Sequence, residues 1–209
     1  MTSPTYQVTN NWFDTYSRQI WPQLLPQIAP QRVLEIGSYE GAATCFLIEN
    51  SDAFSTHEIH CVDTWEGGIE HQSAGTDMDA VYQRFQGNIQ KALDSTQAKA
   101  QVVVHRGFSD LVLATLLSQH GKHYFDFIYV DGSHQAPDVL CDAVLAFRLL
   151  KVGGVLAFDD YLWSENLDGK KDLLRCPKPA IDAFVNLYFN KLQVLQTPMY
   201  QLYVQKISD

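Results

Sequence analysis

Apolar residues along the chain fall into two kinds of run. The first kind is short and unbroken: Arg32 to Ile36, Glu58 to Val62, Gln101 to His105, Phe125 to Val130 and Val155 to Phe158. Apolar runs of this length, closed by turn residues, predict strands of a parallel sheet buried on both faces. The second kind repeats every three or four residues: Ala42 to Ile48, Met78 to about Leu93, Leu111 to Leu117, Ala136 to Leu150 and Ala180 to Asn190. These predict helices, and Pro179 suits an early position in the last of them. Lys151-Val152-Gly153-Gly154 reads as a Gly-rich turn between the fourth helix and the fifth strand. Two more strand patterns, about Leu192 to Gln196 and Tyr200 to Lys206, are joined by Thr197-Pro198-Met199 as a hairpin. Ahead of the first strand, Trp12, Phe13, Tyr16, Ile20, Trp21, Leu24, Leu25 and Ile28 predict an amphipathic helix interrupted near Pro22 and Pro26. That helix should pack on the sheet, and its aromatic start could also cover a ligand. The whole predicts an α/β fold, a Rossmann-like doubly wound sheet that is mostly parallel and ends in an antiparallel hairpin strand. A single domain over 1–209 is expected, with a helical cap at 1–30 and substrate-flanking loops at 64–90 and 161–178.

Right-handed crossovers bring the C-terminal ends of parallel strands to one edge, where open α/β sheets bind ligands. Tyr129-Val130-Asp131-Gly132-Ser133-His134 and Phe158-Asp159-Asp160-Tyr161 both end there. Asp131, Asp159 and Asp160 would repel one another at close range unless a cation or proton offsets them. Helix capping is the plainer use, and Asp131 before Gly-Ser could serve it. The first strand runs into Glu35-Ile36-Gly37-Ser38-Tyr39-Glu40-Gly41. Gly37 suits a tight turn that a ligand can approach, and the following helix offers free N–H groups. Tyr39 and Ala42 stand where a dinucleotide fingerprint needs glycine. Glu35 would face a pyrophosphate badly but suits an ammonium group. Asp63, at the end of the second strand, is placed to bind ribose hydroxyls. The polar stretch from Glu66 to Gly87 is long enough to flank a site. His71 within it reads as a solvated loop histidine. A second polar loop runs from Trp163 through Lys170-Lys171 and Arg175 to Lys178.

Composition narrows the class. The chain has 209 residues, 46% of them hydrophobic, enough for one large core. A net charge of −9 without a basic cluster argues against nucleic acid and anionic membranes as partners. Residues 1–7 show neither a basic n-region nor an apolar h-region, so no signal peptide is expected. Cys45, Cys61, Cys141 and Cys176 lack CxxC spacing and read as small buried thiols of a reduced, cytoplasmic protein.

The segment Val33 to Gly41, with five βα units and a terminal hairpin, resembles the class I S-adenosylmethionine-dependent methyltransferases over about residues 30–209. Val62-Asp63-Thr64-Trp65, Val130 to His134 and Phe158 to Tyr161 are similar to the metal-dependent O-methyltransferases, nearest the branch that modifies sugars of macrolide and aminocoumarin antibiotics. The resemblance implies that Glu35 holds the cofactor's ammonium and that Gly37, Ser38, Tyr39 and Gly41 line its methionine and ribose portion. It places Asp63 on the ribose, Thr64 and Trp65 near the adenosine, and Ser109 near adenine. It makes Asp131, Asp159 and Asp160 ligands of Mg²⁺ or Mn²⁺, with Asp131 also beside the cofactor, and it makes His134 and Asp131 the catalytic residues, His134 as the general base. Hard carboxylate oxygens select such a cation, and a histidine near neutrality can take a hydroxyl proton.

The expected activity is O-methylation of a small hydroxylated acceptor, a sugar or glycosylated natural product; a homo-oligomer is compatible with the sequence. A catechol- or phenol-type O-methyltransferase is the nearest alternative. A nucleotide-dependent oxidoreductase lacks its glycine fingerprint, and a non-catalytic cofactor-binding module would have no need of Asp131, His134, Asp159 and Asp160 together.

Overall fold

A computed structural model describes residues 5–96, 100–165, 172–198 and 200–209. Its elements, in chain order, are α1 (Trp12–Thr15), α2 (Ser17–Ile28), β1 (Arg32–Ile36), α3 (Ala42–Glu49), α4 (Ser51–Phe54), β2 (Glu58–Asp63), α5 (Ile69–Ser73) and α6 (Met78–Thr96). There follow β3 (Gln101–Arg106), α7 (Ser109–His120), β4 (Phe125–Val130), α8 (Ala136–Leu149), β5 (Leu150–Phe158), α9 (Pro177–Leu187), β6 (Leu192–Val194) and β7 (Leu202–Lys206). The seven strands form one sheet in the order β3-β2-β1-β4-β5-β7-β6. β1 to β5 are parallel, while β7 runs antiparallel to both β5 and β6. The doubly wound sheet with its antiparallel end is therefore as the sequence implies.

The alternation of strand side chains divides the core between the two faces. Leu34, Ile36, Ile128, Val130, Leu156 and Phe158 meet α7, α8 and α9 on one face. Val33, Phe127, Tyr129, Val155 and Tyr203 meet α2, α3 and α6 on the other. Strand order reverses between β1 and β4, which opens the crevice that such sheets use for ligands.

Several boundaries depart from the sequence reading. α2 runs unbroken through Pro22 and Pro26, and the chain breaks instead at Tyr16 (φ −122°, ψ −71°). Trp21 and Leu25, fully buried on the sheet one turn apart, hold the helix against the loss of two N–H groups. The stretch Lys151 to Gly154 is not a turn but the start of β5, paired with β4 through a register shift between Phe125 and Phe127. Asp126 stands at that shift and anchors it, accepting from the Gln31 and Arg32 amides and from Lys151 Nζ. α9 starts at Pro177, two residues before the proline assigned to its first turn. Cys141 is exposed rather than buried, whereas Cys45, Cys61 and Cys176 are buried. Met199 of the hairpin and Lys170-Lys171 of the second polar loop lie outside the described residues. No helix among the described residues is long and apolar enough to cross a membrane.

Candidate active site

The strand ends at the crevice are tied to one another by backbone. Gly37 N–H donates to Val62 O, Asp131 N–H to Ile36 O and Asp159 N–H to Val130 O, at 2.8, 2.8 and 2.9 Å. Gly37 has φ +88°, and a Cβ there would fall 2.0 Å from the Asp131 carbonyl oxygen. Only glycine lets the β1 turn pass so close to the end of β4. Tyr39, Trp65 and Asp160 take left-handed backbone at φ 46°, 50° and 55° just beyond β1, β2 and β5. Non-glycine strain of this kind gathers at functional sites.

A cavity of about 640 Å³ opens over these ends, within the ~300–1,000 Å³ of small-molecule sites. Glu35, Gly37, Ser38 and Tyr39 line it from the β1 side, Asp63 and Thr64 from β2, and Ser109 from the start of α7. Asp131, His134 and Asp160 complete its floor, and Trp12 and Phe13 of α1 close one wall. Gly41, Trp65 and Asp159 do not line it among the described residues. Gly41 faces Phe85 and Ile89 of α6. Trp65 is buried between Tyr82 and Phe85 and donates from Nε1 to Tyr39 O. Asp159 lies behind the floor, in a small recess beside Asp160.

The acids have distinct surroundings. Glu35 is buried and accepts from the hydroxyls of Ser38 and Thr44. Burial pushes its carboxyl up to about 7 against those hydrogen bonds, so an arriving ammonium would find a carboxylate it can fully ionise. Asp63 Oδ2 accepts from the Ser38 and Tyr39 amides at 2.9 Å each, and Oδ1 from Trp65 N–H at 2.7 Å. It therefore also builds the turn on which a ligand would rest. Asp159 accepts from the Tyr129 hydroxyl, from Gln201 Nε2 and from the Asp160 amide. Burial, together with Asp159 and Asp160, raises the Asp131 carboxyl well above the usual range. Burial and Asp160 do the same to Asp159.

His134 joins two acids. Its Nε2 is 2.9 Å from Asp160 Oδ2, its Nδ1 is 3.1 Å from Glu70 Oε1, and its ring stacks on Trp163 at 4.1 Å. Burial alone would lower its pKa, but Asp160 and Glu70 prevail and push it up to about 9. This corrects the value near neutrality expected of it. Both ring nitrogens face carboxylates, so His134 is an imidazolium at neutral pH. His71 is likewise no solvated loop residue. It sits in α5 against Tyr39 and Trp12, with a buried Nε2 that lacks a partner.

Among the described residues, no three His, Cys, Asp or Glu side chains are already disposed to hold a metal ion. The donor chemistry of Asp131, Asp159 and Asp160 nonetheless fits a hard cation. After burial, the charges of Asp159 and Asp160 raise the Asp131 carboxyl and that of Asp160 raises Asp159, and no lysine or arginine among the described residues lines the cavity.

A family model for a methyltransferase domain matches residues 34–161, from β1 to just past the paired aspartates. The chain belongs to this methyltransferase family. No curated protein sequence matches it. Among solved structures it is similar to the O-methyltransferase TomG of Streptomyces achromogenes, involved in tomaymycin synthesis and bound to S-adenosylmethionine: 17% identity, 89% of this chain and 77% of the other, TM-score 0.60. It is also similar to an O-methyltransferase of Bacillus cereus bound to S-adenosylhomocysteine, at 18% identity over 97% and 84% of the two chains, TM-score 0.61. CalS11, a TDP-rhamnose 3′-O-methyltransferase of calicheamicin biosynthesis, matches at 15% identity over 90% and 79%, TM-score 0.55. These likenesses establish the class I fold of the methyltransferase.

Three residues at the site carried no readable signal: Glu70, His71 and Asp142. Glu70 and His71 are brought to the cavity by α5, a helix that the polar stretch after Trp65 conceals. Asp142 lies on the inner face of α8, 1% exposed, and neither of its carboxylate oxygens has a hydrogen-bond partner. Burial pushes its carboxyl up to about 7; the nearby Ser109 hydroxyl opposes this, and Asp138 and Asp110 add to it. The folded state thus holds the Asp142 proton more tightly than the unfolded chain does. Stability is greatest below the ordinary carboxylate pKa and falls as pH rises through about 7. Asp142→Asn should remove that slope and raise the unfolding free energy at pH 8 by on the order of 2 kcal/mol. Thermal melts of the ligand-free protein at pH 5 and pH 8 test this, and an unchanged pH dependence would show that the carboxyl is not strained.

Proposed function

We propose that this methyltransferase moves the methyl group of S-adenosylmethionine to a hydroxyl oxygen of a small acceptor, a sugar or glycosylated natural product. The observation that carries the reading is His134, held between Glu70 and Asp160 on the floor of a cavity whose acids suit a cationic cofactor. Glu35 would receive the cofactor's ammonium, and Asp63 its ribose hydroxyls. The acceptor oxygen attacks the methyl carbon in line, the carbon–sulfur bond breaks, and its electron pair stays on sulfur. His134 must first give up its Nε2 proton to solvent; the hydroxyl proton then passes to Nε2 of the neutral ring, so the acceptor hydroxyl must displace the contact between that nitrogen and Asp160. Glu70, on Nδ1, keeps the ring oriented while the other nitrogen works. Asp131, Asp159 and Asp160 would hold Mg²⁺ or Mn²⁺, which when bound orients a hydroxyl and lowers its pKa. The sugar class is supported by the likeness to CalS11, a TDP-rhamnose 3′-O-methyltransferase, and by the resemblance of Val62 to Trp65, Val130 to His134 and Phe158 to Tyr161 to the sugar-modifying branch.

The test is methyl transfer from labelled S-adenosylmethionine, with Mg²⁺ present, to a panel of nucleotide sugars, glycosides and catechols. Labelled ether on a sugar oxygen is the expected product. Label on catechols alone would move the acceptor class, and label on none would leave only cofactor binding.

A further inference from the structure

Acids run along the cavity, Glu35, Asp63, Asp110, Asp131, Asp138 and Asp160 among them, and none of the described residues that line it is a lysine or arginine. That suits a sulfonium and an ammonium. It does not suit the carboxylate that the methionine portion carries on the same carbon as its ammonium. Wherever Glu35 receives the one charge, the other must find a donor close by. Of the nearest backbone donors, the Ser38 and Tyr39 amides both go to Asp63 Oδ2, which leaves the N–H groups at the start of α3, where Ala42 and Ala43 line the cavity. The Ser38 hydroxyl goes to Glu35, and both nitrogens of His134 face carboxylates.

His71 remains as a side-chain donor. Its ring lies 5.2 Å from that of Tyr39, over the turn that follows Glu35, and it lines the cavity. Its Nδ1 accepts from Gly68 N–H at 3.3 Å and lies 3.3 Å from Glu70 Oε1. If Nδ1 accepts from Gly68, the neutral ring carries its proton on Nε2. If Nδ1 is protonated toward Glu70, Nε2 carries a proton only in the cationic ring; the Gly68 N–H aimed at Nδ1 favours the neutral tautomer with its proton on Nε2. Nε2 is buried and has no partner, and a buried N–H left unpaired is costly unless a ligand meets it.

We infer that His71 Nε2–H donates to the α-carboxylate of the cofactor, making His71 a binding residue for its amino-acid end. The inference rests on the cofactor reading above. It is tested by calorimetry with two ligands, S-adenosylhomocysteine and its decarboxylated analogue, which keeps the ammonium and lacks the carboxylate. His71→Leu should weaken S-adenosylhomocysteine ~10-fold, the size of one charge-assisted hydrogen bond, and leave the analogue within about twofold. His71→Gln, which keeps an N–H donor, should recover most of the loss. Equal losses for both ligands, or no loss for either, would overturn the assignment. Wild-type protein that binds neither ligand would overturn the cofactor reading, and this inference with it.

Discussion

His134→Ala should lower turnover by ~10²–10⁴-fold, the contribution of a positioned acid–base group, while leaving S-adenosylhomocysteine affinity nearly unchanged. The ring faces the acids of the floor and Trp163 rather than the β1 turn. Catalysis needs the neutral imidazole, so the wild-type rate should climb with pH through the histidine's pKa, which Glu70 on Nδ1 still raises when Asp160 holds the metal. Glu70→Gln removes one of the two carboxylates that hold the proton, and should move that limb to lower pH. Stability carries the opposite sign. The His134 pKa is raised in the folded state, so its contribution is fully present below the ordinary value of 6.5 and is lost as pH rises through about 9. The alanine variant should therefore melt lower at pH 6 and match wild type near the alkaline end. Rate–pH profiles and melts of wild type and both variants measure this. A variant that only melts lower, with full turnover of the folded fraction, would make His134 a structural residue.

Exhaustive chelation should abolish turnover, and Mg²⁺ or Mn²⁺ should restore it, because the mutual repulsion that raises the Asp131 and Asp159 carboxyls beside Asp160 is what a hard cation relieves. Asp160→Ala should raise the Mg²⁺ concentration that gives half activity and be partly rescued by excess metal, since one of three charged ligands is gone. His134→Ala should not respond to metal at all. Full activity after chelation would assign the acids another purpose and leave proton transfer to His134 and Glu70.

The sheet could be read from the chain because the central strands β1, β4 and β5 carry apolar residues buried on both faces, Leu34, Phe127 and Leu156 among them. The acids at the strand ends could be read because strand ends share an edge. α2 was misread because proline's missing N–H is a local signal, whereas the burial of Trp21 and Leu25 that outweighs it is tertiary. The start of β5 was misread for a similar reason: Gly153 and Gly154 are turn residues by type, but pairing with β4 across the shift at Asp126 claims them for the sheet. At the site, the hidden residues are those whose partners are distant in sequence. Glu70 meets His134 64 positions away. The pKa of His134 follows from that meeting and from Asp160, so its residue type alone pointed to the wrong value.

β7 brings the C-terminal part of the chain against the acid floor. Gln201 Nε2 donates to Asp159 Oδ1 and to Ser17 Oγ, Tyr200 donates to Asp160 Oδ1, and Tyr203 donates to Gln201 and accepts from Trp21 of α2. Asp159 and Gln201 are 42 positions apart. On the ribosome, Asp159 and Asp160 therefore emerge after Tyr129 and His134 but well before Tyr200 and Gln201. A nascent chain released from the exit tunnel only as far as α9 carries a sheet without its antiparallel closure and a carboxylate pair without its amide and phenol. Catalytic competence thus arrives late in synthesis, after most of the parallel sheet has already had time to pair.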